Sequence, residues 1–149
     1  MVMKDALHEM HITQVFAPIV RSDAAEFNTS FTTTNCDTAG AEGAMFLVVM
    51  GTSGATDFVF NLQSDTAATT TANANVATAE CRVMTVGGDA TTAIVGPVLG
   101  PTMAVATAYL FQYSGSARYL RLNASAGTVD AIFGVYFITT HQRREPAHL

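Results

Sequence analysis

The chain has 149 residues, enough for one domain that buries roughly 70% of the surface its unfolded form exposes. Charged residues make up only 13%, about half the roughly 25% usual for a soluble domain. The net charge is −5, with six scattered arginines and a single lysine, Lys4, so no basic stripe exists to neutralise a phosphate backbone, which argues against nucleic acid as a partner.

Alanine and threonine fill the gap left by charge, at 24 and 21 residues. Threonine suits a half-wet strand, because its branched Cβ favours the pleat and its hydroxyl faces water. Scarce lysine also leaves sheet edges without their usual guard against pairing with other chains. Either loops or bulges cover these edges, or the uncharged surfaces are interfaces in an assembly.

From the N-terminus, MVMKDALHEMH carries Lys4, Asp5, His8 and Glu9 and lacks the apolar core of a signal peptide. Synthesis in a cytoplasm is the expectation. Val2, Met3, Ala6, Leu7 and Met10 fall near helical spacing, so residues 1–10 read as an amphipathic arm. Residues 11–20 (HITQVFAPIV) form the first predicted strand, with Pro18 marking an edge or a bulge because it cannot donate to a ladder. A second is expected at 27–33 (FNTSFTT), with Phe27, Thr29, Phe31 and Thr33 on one face, followed by a polar loop over 35–43.

Residues 44–50 (AMFLVVM) are apolar at every position, the mark of a central strand buried on both faces or packed against a partner. Residues 57–64 (DFVFNLQS) alternate, with Phe58, Phe60 and Leu62 facing in and Asp57, Asn61 and Gln63 off that face. The tract 65–80 (DTAATTTANANVATAE) lacks bulky side chains and reads as a long surface loop. Strands resume at 81–86 and 91–99, then at 104–113 (AVATAYLFQY) and 118–124 (RYLRLNA). A long last run covers 129–139 (VDAIFGVYFIT), with Gly134 suggesting a bulge or a close backbone contact. The sum is an all-β chain: an antiparallel, jelly-roll-like β-sandwich of eight or nine strands over 11–139, with extended termini at 1–10 and 140–149.

Chemical motifs are missing. His8-Glu9-Met10-His11 has its histidines three apart, not four as in H-E-x-x-H, and Gly51-Thr52-Ser53-Gly54 falls short of a nucleophile elbow. Cys36 and Cys81 are too few and too distant for a zinc site and read as free thiols. The longest apolar runs fall far short of the 18 or so residues that span a bilayer. No catalytic, cofactor-binding or metal-ligating residue, and no membrane partner, is therefore expected. The aromatics Phe58, Phe60, Tyr109, Phe111, Tyr113, Phe133, Tyr136 and Phe137 all fall in strand runs, as core or subunit contacts.

The amphipathic start leading into HITQVFAPI, the segment FVFNLQSD, the closing pair ARYLRLNAS and VDAIFGVYFIT, and the tail QRREPAHL together resemble the head decoration, or cement, proteins of tailed bacteriophages. The Thr/Ala tract at 65–80 departs from the more acidic loop of that family. The resemblance implies a non-enzymatic virion protein on the outer capsid surface, made in the bacterial host's cytoplasm, which bridges neighbouring copies of the major capsid protein. Association of the domain with itself, as a trimer or a dimer, is expected through its aromatic and Thr-rich strand faces. Both termini are then candidate capsid-gripping parts, with Met3, Leu7 and Met10 on the N-terminal arm. Arg143 and Arg144, the only adjacent basic pair, would fork onto carboxylates from the tail. A phage tail or adsorption protein that binds host-surface carbohydrate is the alternative.

Overall fold

A computed structural model describes residues 10–20, 31–51, 59–68, 74–86, 94–95, 97–99, 107–125 and 132–142. They form strands β1 (Met10–Val20), β2 (Phe31–Thr32), β3 (Cys36–Asp37), β4 (Ala41–Met50), β5 (Val59–Asp65), β6 (Ala74–Asn75), β7 (Cys81–Thr85), β8 (Ile94–Val95), β9 (Val98–Leu99), β10 (Ala108–Tyr113), β11 (Tyr119–Ser125) and β12 (Ile132–Gln142). Seven have five residues or more, and five short segments complete the sheets. All pairings are antiparallel.

One sheet runs β1-β12-β4-β10-β7-β8 and the other β2-β11-β5-β6, with β3 also on β11 and β9 also on β5. If β2 and β3 are taken as one interrupted strand, the orders β4-β10-β7-β8 and β2/β3-β11-β5-β9 are those of a jelly roll, the all-β sandwich expected. β12 and β1 extend the first of these sheets. From β9 onward the chain changes sheet at each step, through β10, β11 and β12.

Alternation fills the space between the sheets. In β4, Ala44, Phe46, Val48 and Met50 face in, and the facing sheet supplies Phe60 and Leu62 from β5 and Leu120, Leu122 and Ala124 from β11. Phe60 meets Phe133 edge-on at 5.3 Å, and Phe46 tilts against Phe137 at 5.0 Å, both within the spacing that rewards aromatic pairs beyond their burial. Tyr109, Phe111, Tyr113, Phe133 and Phe137 are likewise buried in this core. The sequence's aromatic runs are therefore mostly interior, and Phe58 lies outside the described residues.

Several local readings change. The polar loop expected over 35–43 holds β3 and the start of β4. Ala39 N–H donates to Asp37 Oδ1 at 2.8 Å, and Gly40 takes φ 77°, the left-handed value that glycine adopts without penalty. This tight turn lets both strands pair. The small-residue tract 65–80 is not all loop: β6 pairs with β5, a 3-10 turn covers Thr78–Glu80, and Val76 is in the core. Small side chains suffice there because β5 supplies the bulk. The single strand expected at 91–99 is two, β8 on β7 and β9 on β5. The chain crosses between sheets around Pro97, whose carbonyl accepts from Leu62 N–H at 2.9 Å.

Pro18 falls where the β1–β12 register shifts, between Phe16 and Ile19, on the edge strand of its sheet. Gly134 itself pairs in unbroken register with Val49, so the irregularity lies in β1. At the borders of the expected arm and tail, Met10 pairs with Thr140 and β12 continues to Gln142 opposite Ala41, while residues 1–9 and 143–149 lie outside the described residues. Ladder hydrogen bonding, which polarity does not oppose, carries Met10, Thr140 and Gln142 into the sheet.

Candidate interaction surfaces

The same alternation that fills the core assigns every other residue to an outer face. On the sheet that runs β1-β12-β4-β10-β7-β8, directly paired residues fall into rows across the strands. One reads Ile12–Ile138–Met45–Gln112–Arg82, the next Gln14–Tyr136–Leu47–Leu110–Met84, and a third holds Gly134, Val49 and Ala108. Its middle is apolar. Ile12 is 60% exposed, Val49 39% and the nearby Val86 55%, while Ile138, flanked by Ile12 and Met45, is only 6% exposed without belonging to the interior core. Gln14, Gln112, Arg82 and Thr140 lie toward the borders. Among the described residues the face holds one charge, Arg82, and no carboxylate.

The outer face of the other sheet, built on β11 and β5, has the opposite character. Arg121 Nε donates to Gln63 Oε1 at 2.8 Å, Gln63 Nε2 donates to Asn75 Oδ1 at 3.3 Å, and Asn123 Nδ2 donates to Thr32 Oγ1 at 3.0 Å. These side chains point outward from β5, β6, β11 and β2 because their in-line neighbours Leu62, Leu120, Leu122 and Ala124 fill the core. At one corner Arg118 forks onto Asp37, with Nη2 2.9 Å from Oδ2 and Nε 3.1 Å from Oδ1, and its guanidinium lies 5.1 Å from the Tyr119 ring centre. The hydrogen bond from Arg118 holds the Asp37 carboxyl below its ordinary range.

A shallow cleft of about 80 Å³ lies at the end of the sandwich, lined by residues that include Thr38, Glu42, Gly43, Tyr113 and Ser114. It is well below the roughly 300 Å³ at which small-molecule sites begin. Cys36 and Cys81 are free and buried, and burial pushes both thiols up to about 12. A thiol so poised is a poor nucleophile, since the thiolate is the reactive form. Among the described residues, no three His, Cys, Asp or Glu side chains converge as a metal site would require.

Of the residues singled out as capsid-binding, Met10 opens β1 and is 43% exposed, opposite Thr140 at the border of the apolar face. Met3, Leu7, Arg143 and Arg144 lie outside the described residues. What the sequence reading left unassigned is the apolar face itself, built from Met45, Leu47, Leu110, Met84, Tyr136 and Ile138. Its signal was in view: AMFLVVM supplies Phe46, Val48 and Met50 to one side and Met45, Leu47 and Val49 to the other.

Fold and faces together define a jelly-roll sandwich with one apolar and one polar outer surface. No known protein family and no curated protein matches the chain by sequence. Among solved structures it is similar to the SPBc2 prophage-derived protein YomS, at a TM-score of 0.55 and 8% identity, with 89% of this chain and 94% of that one covered. At that identity the likeness is one of fold.

Proposed function

We propose that the protein is a structural component of a tailed-phage virion that decorates the outer surface of the head, bound to the major capsid protein and without a catalytic role. The observation that carries this reading is the jelly roll with an unusually apolar outer sheet. Such a surface suits a protein whose working state is an assembly, where affinity comes from buried area multiplied by copy number. The fold likeness to a prophage-derived protein of nearly the same extent supports a phage origin. On this reading the terminal segments carrying Met3, Leu7, Met10, Arg143 and Arg144 reach the capsid, the arginines meeting acidic groups in two-point fashion. The protein is made in the host cytoplasm and ends on the particle.

The test is quantitative protein analysis of purified virions. Hundreds of copies per particle, scaling with the capsid protein, are expected for decoration, whereas a few copies would place the protein in the tail. The second reading, a tail or adsorption protein binding host-surface carbohydrate, is favoured by the ladder of Gln63, Asn75, Arg121 and Asn123. Planar amide and guanidinium groups on a flat sheet suit hydroxyl-rich ligands. Glycan binding by the isolated chain, abolished by Arg121→Ala with Asn123→Ala, would support it over decoration.

A further inference from the structure

We propose that the outer face of the sheet β1-β12-β4-β10-β7-β8 is covered by a second copy of this chain. The inference is independent of whether the protein belongs to the head or the tail of a virion. It starts from the three rows of directly paired residues, in which Tyr136, Leu47, Leu110 and Met84 run side by side across four strands and Ile12, Ile138 and Met45 flank them.

Size comes first. Five strands about 4.8 Å apart, with same-face residues about 7 Å apart along each, make an outer face of roughly 500–700 Å² in plan. A stable specific interface takes about 800 Å² of accessible surface from each partner, and a pleated face exposes more than its plan area. The face therefore approaches what one side of a dimer contact requires.

Charge then selects the occupant. The chain carries a net charge of −5, so two copies repel at long range. The face avoids adding to that cost, because among the described residues it presents no carboxylate, and Arg82 is its single charge, near the β7 border. A basic partner would instead be met by acidic groups. The apolar centre with Gln14, Gln112 and Thr140 around it follows the plan of a self-associating surface, dry in the middle and polar at the rim. Met45 and Met84 add side chains that adapt to a facing copy of themselves.

The purified full-length chain is measured by analytical ultracentrifugation and light scattering over a broad dilution series. The expected mass is two or more times 15.7 kDa. Ile12→Lys with Val49→Lys, at positions 60% and 39% exposed, should raise the dissociation constant by at least about tenfold, since each buries an unpaired charge on association. Far-UV circular dichroism and cooperative unfolding should stay unchanged. Leu47→Glu, in the centre, should give a monomer; if it fails to fold, the exposed pair still decides. Arg121→Ala, on the opposite sheet, should leave the mass as in the wild type. A wild-type monomer at every concentration, or a double lysine variant of wild-type mass, would overturn the proposal and leave the face to another partner.

Discussion

Gly115 lies against the ring of Tyr113 so closely that a Cβ on the glycine would collide with the phenolic oxygen and stand 2.6 Å from Cζ. The ring is 6% exposed, and its Oη accepts the Ala117 N–H at 2.8 Å. The phenol therefore closes the β10–β11 turn from inside, and only glycine leaves it room.

Gly115→Ala should accordingly cost about 1–3 kcal/mol, the range for overpacking a filled site, because a rigid buried ring, not a flexible tip, must give way. Tyr113→Phe keeps the packing but removes the acceptor from Ala117 N–H, for a smaller loss of about 0.5–1.5 kcal/mol. Urea denaturation of the two variants beside the wild type measures both; a neutral Gly115→Ala would show that the turn can shift without penalty.

Thr33 is 3% exposed, and its Oγ1 accepts the Leu122 N–H at 3.0 Å while its own N–H donates to Leu122 O at 2.9 Å. It spans the gap between β2 and β3 on the edge of β11. Thr33→Val is nearly isosteric yet leaves the Leu122 N–H without that acceptor, so a loss of about 1–3 kcal/mol is expected. Thr33→Ser, which keeps the hydroxyl, should recover most of it in the same denaturation assay.

The two buried thiols predict a stability that declines in alkali. Unfolded cysteines ionise from an ordinary value of 9.0, whereas in the fold both are pushed up to about 12 by burial. Between those values the unfolded chain holds fewer protons than the folded one, so unfolding becomes easier as pH rises; below the unfolded value the stabilisation is complete. Urea midpoints should be flat with respect to these groups at neutral pH and fall steadily above about pH 9. In Cys36→Ala with Cys81→Ala the alkaline slope should be shallower, even though the starting stability is lower from lost packing.

Asp37 accepts from both Arg118 and the Ala39 N–H. Its carboxyl is held below its ordinary value, chiefly by Arg118 and then by Ala39, so the associated stability is present above the unfolded value and lost as pH falls through the folded one. Arg118→Ala removes only an exposed ion pair, of little weight in water. Asp37→Ala also removes the acceptor that shapes the turn at Gly40, so it should lower the thermal midpoint more than Arg118→Ala does.

Alternation made much of the fold legible. DFVFNLQS and RYLRLNA place Phe60, Leu62, Leu120 and Leu122 inward as expected, because period two leaves each side chain a single side to face. The sheet crossing around Pro97 was not legible, since β8 and β9 are two residues each and a two-residue strand has no period. The role of Val76 escaped for a related reason: one valine among small polar residues reads as loop until β5 is seen beside it. The apolar outer face was half legible. A strand apolar on both sides announces two coverings, but which strands share the second side depends on pairings between residues such as Leu47 and Leu110 that sequence order does not reveal.

The pairing of β1 with β12 also governs when the protein can become itself. Residues 112 to 130 positions apart are brought together there, from Val20 with Ile132 to Met10 with Thr140. During synthesis β1 emerges early and waits for β12, its partner within the sheet, with an open, lysine-free backbone edge throughout. Contacts so distant in sequence form slowly, and a nascent edge of this kind is open to strand exchange with neighbouring chains on the same message. Production of this protein should therefore depend on how crowded its translation is, with slower, cooler expression yielding more correctly closed sheets.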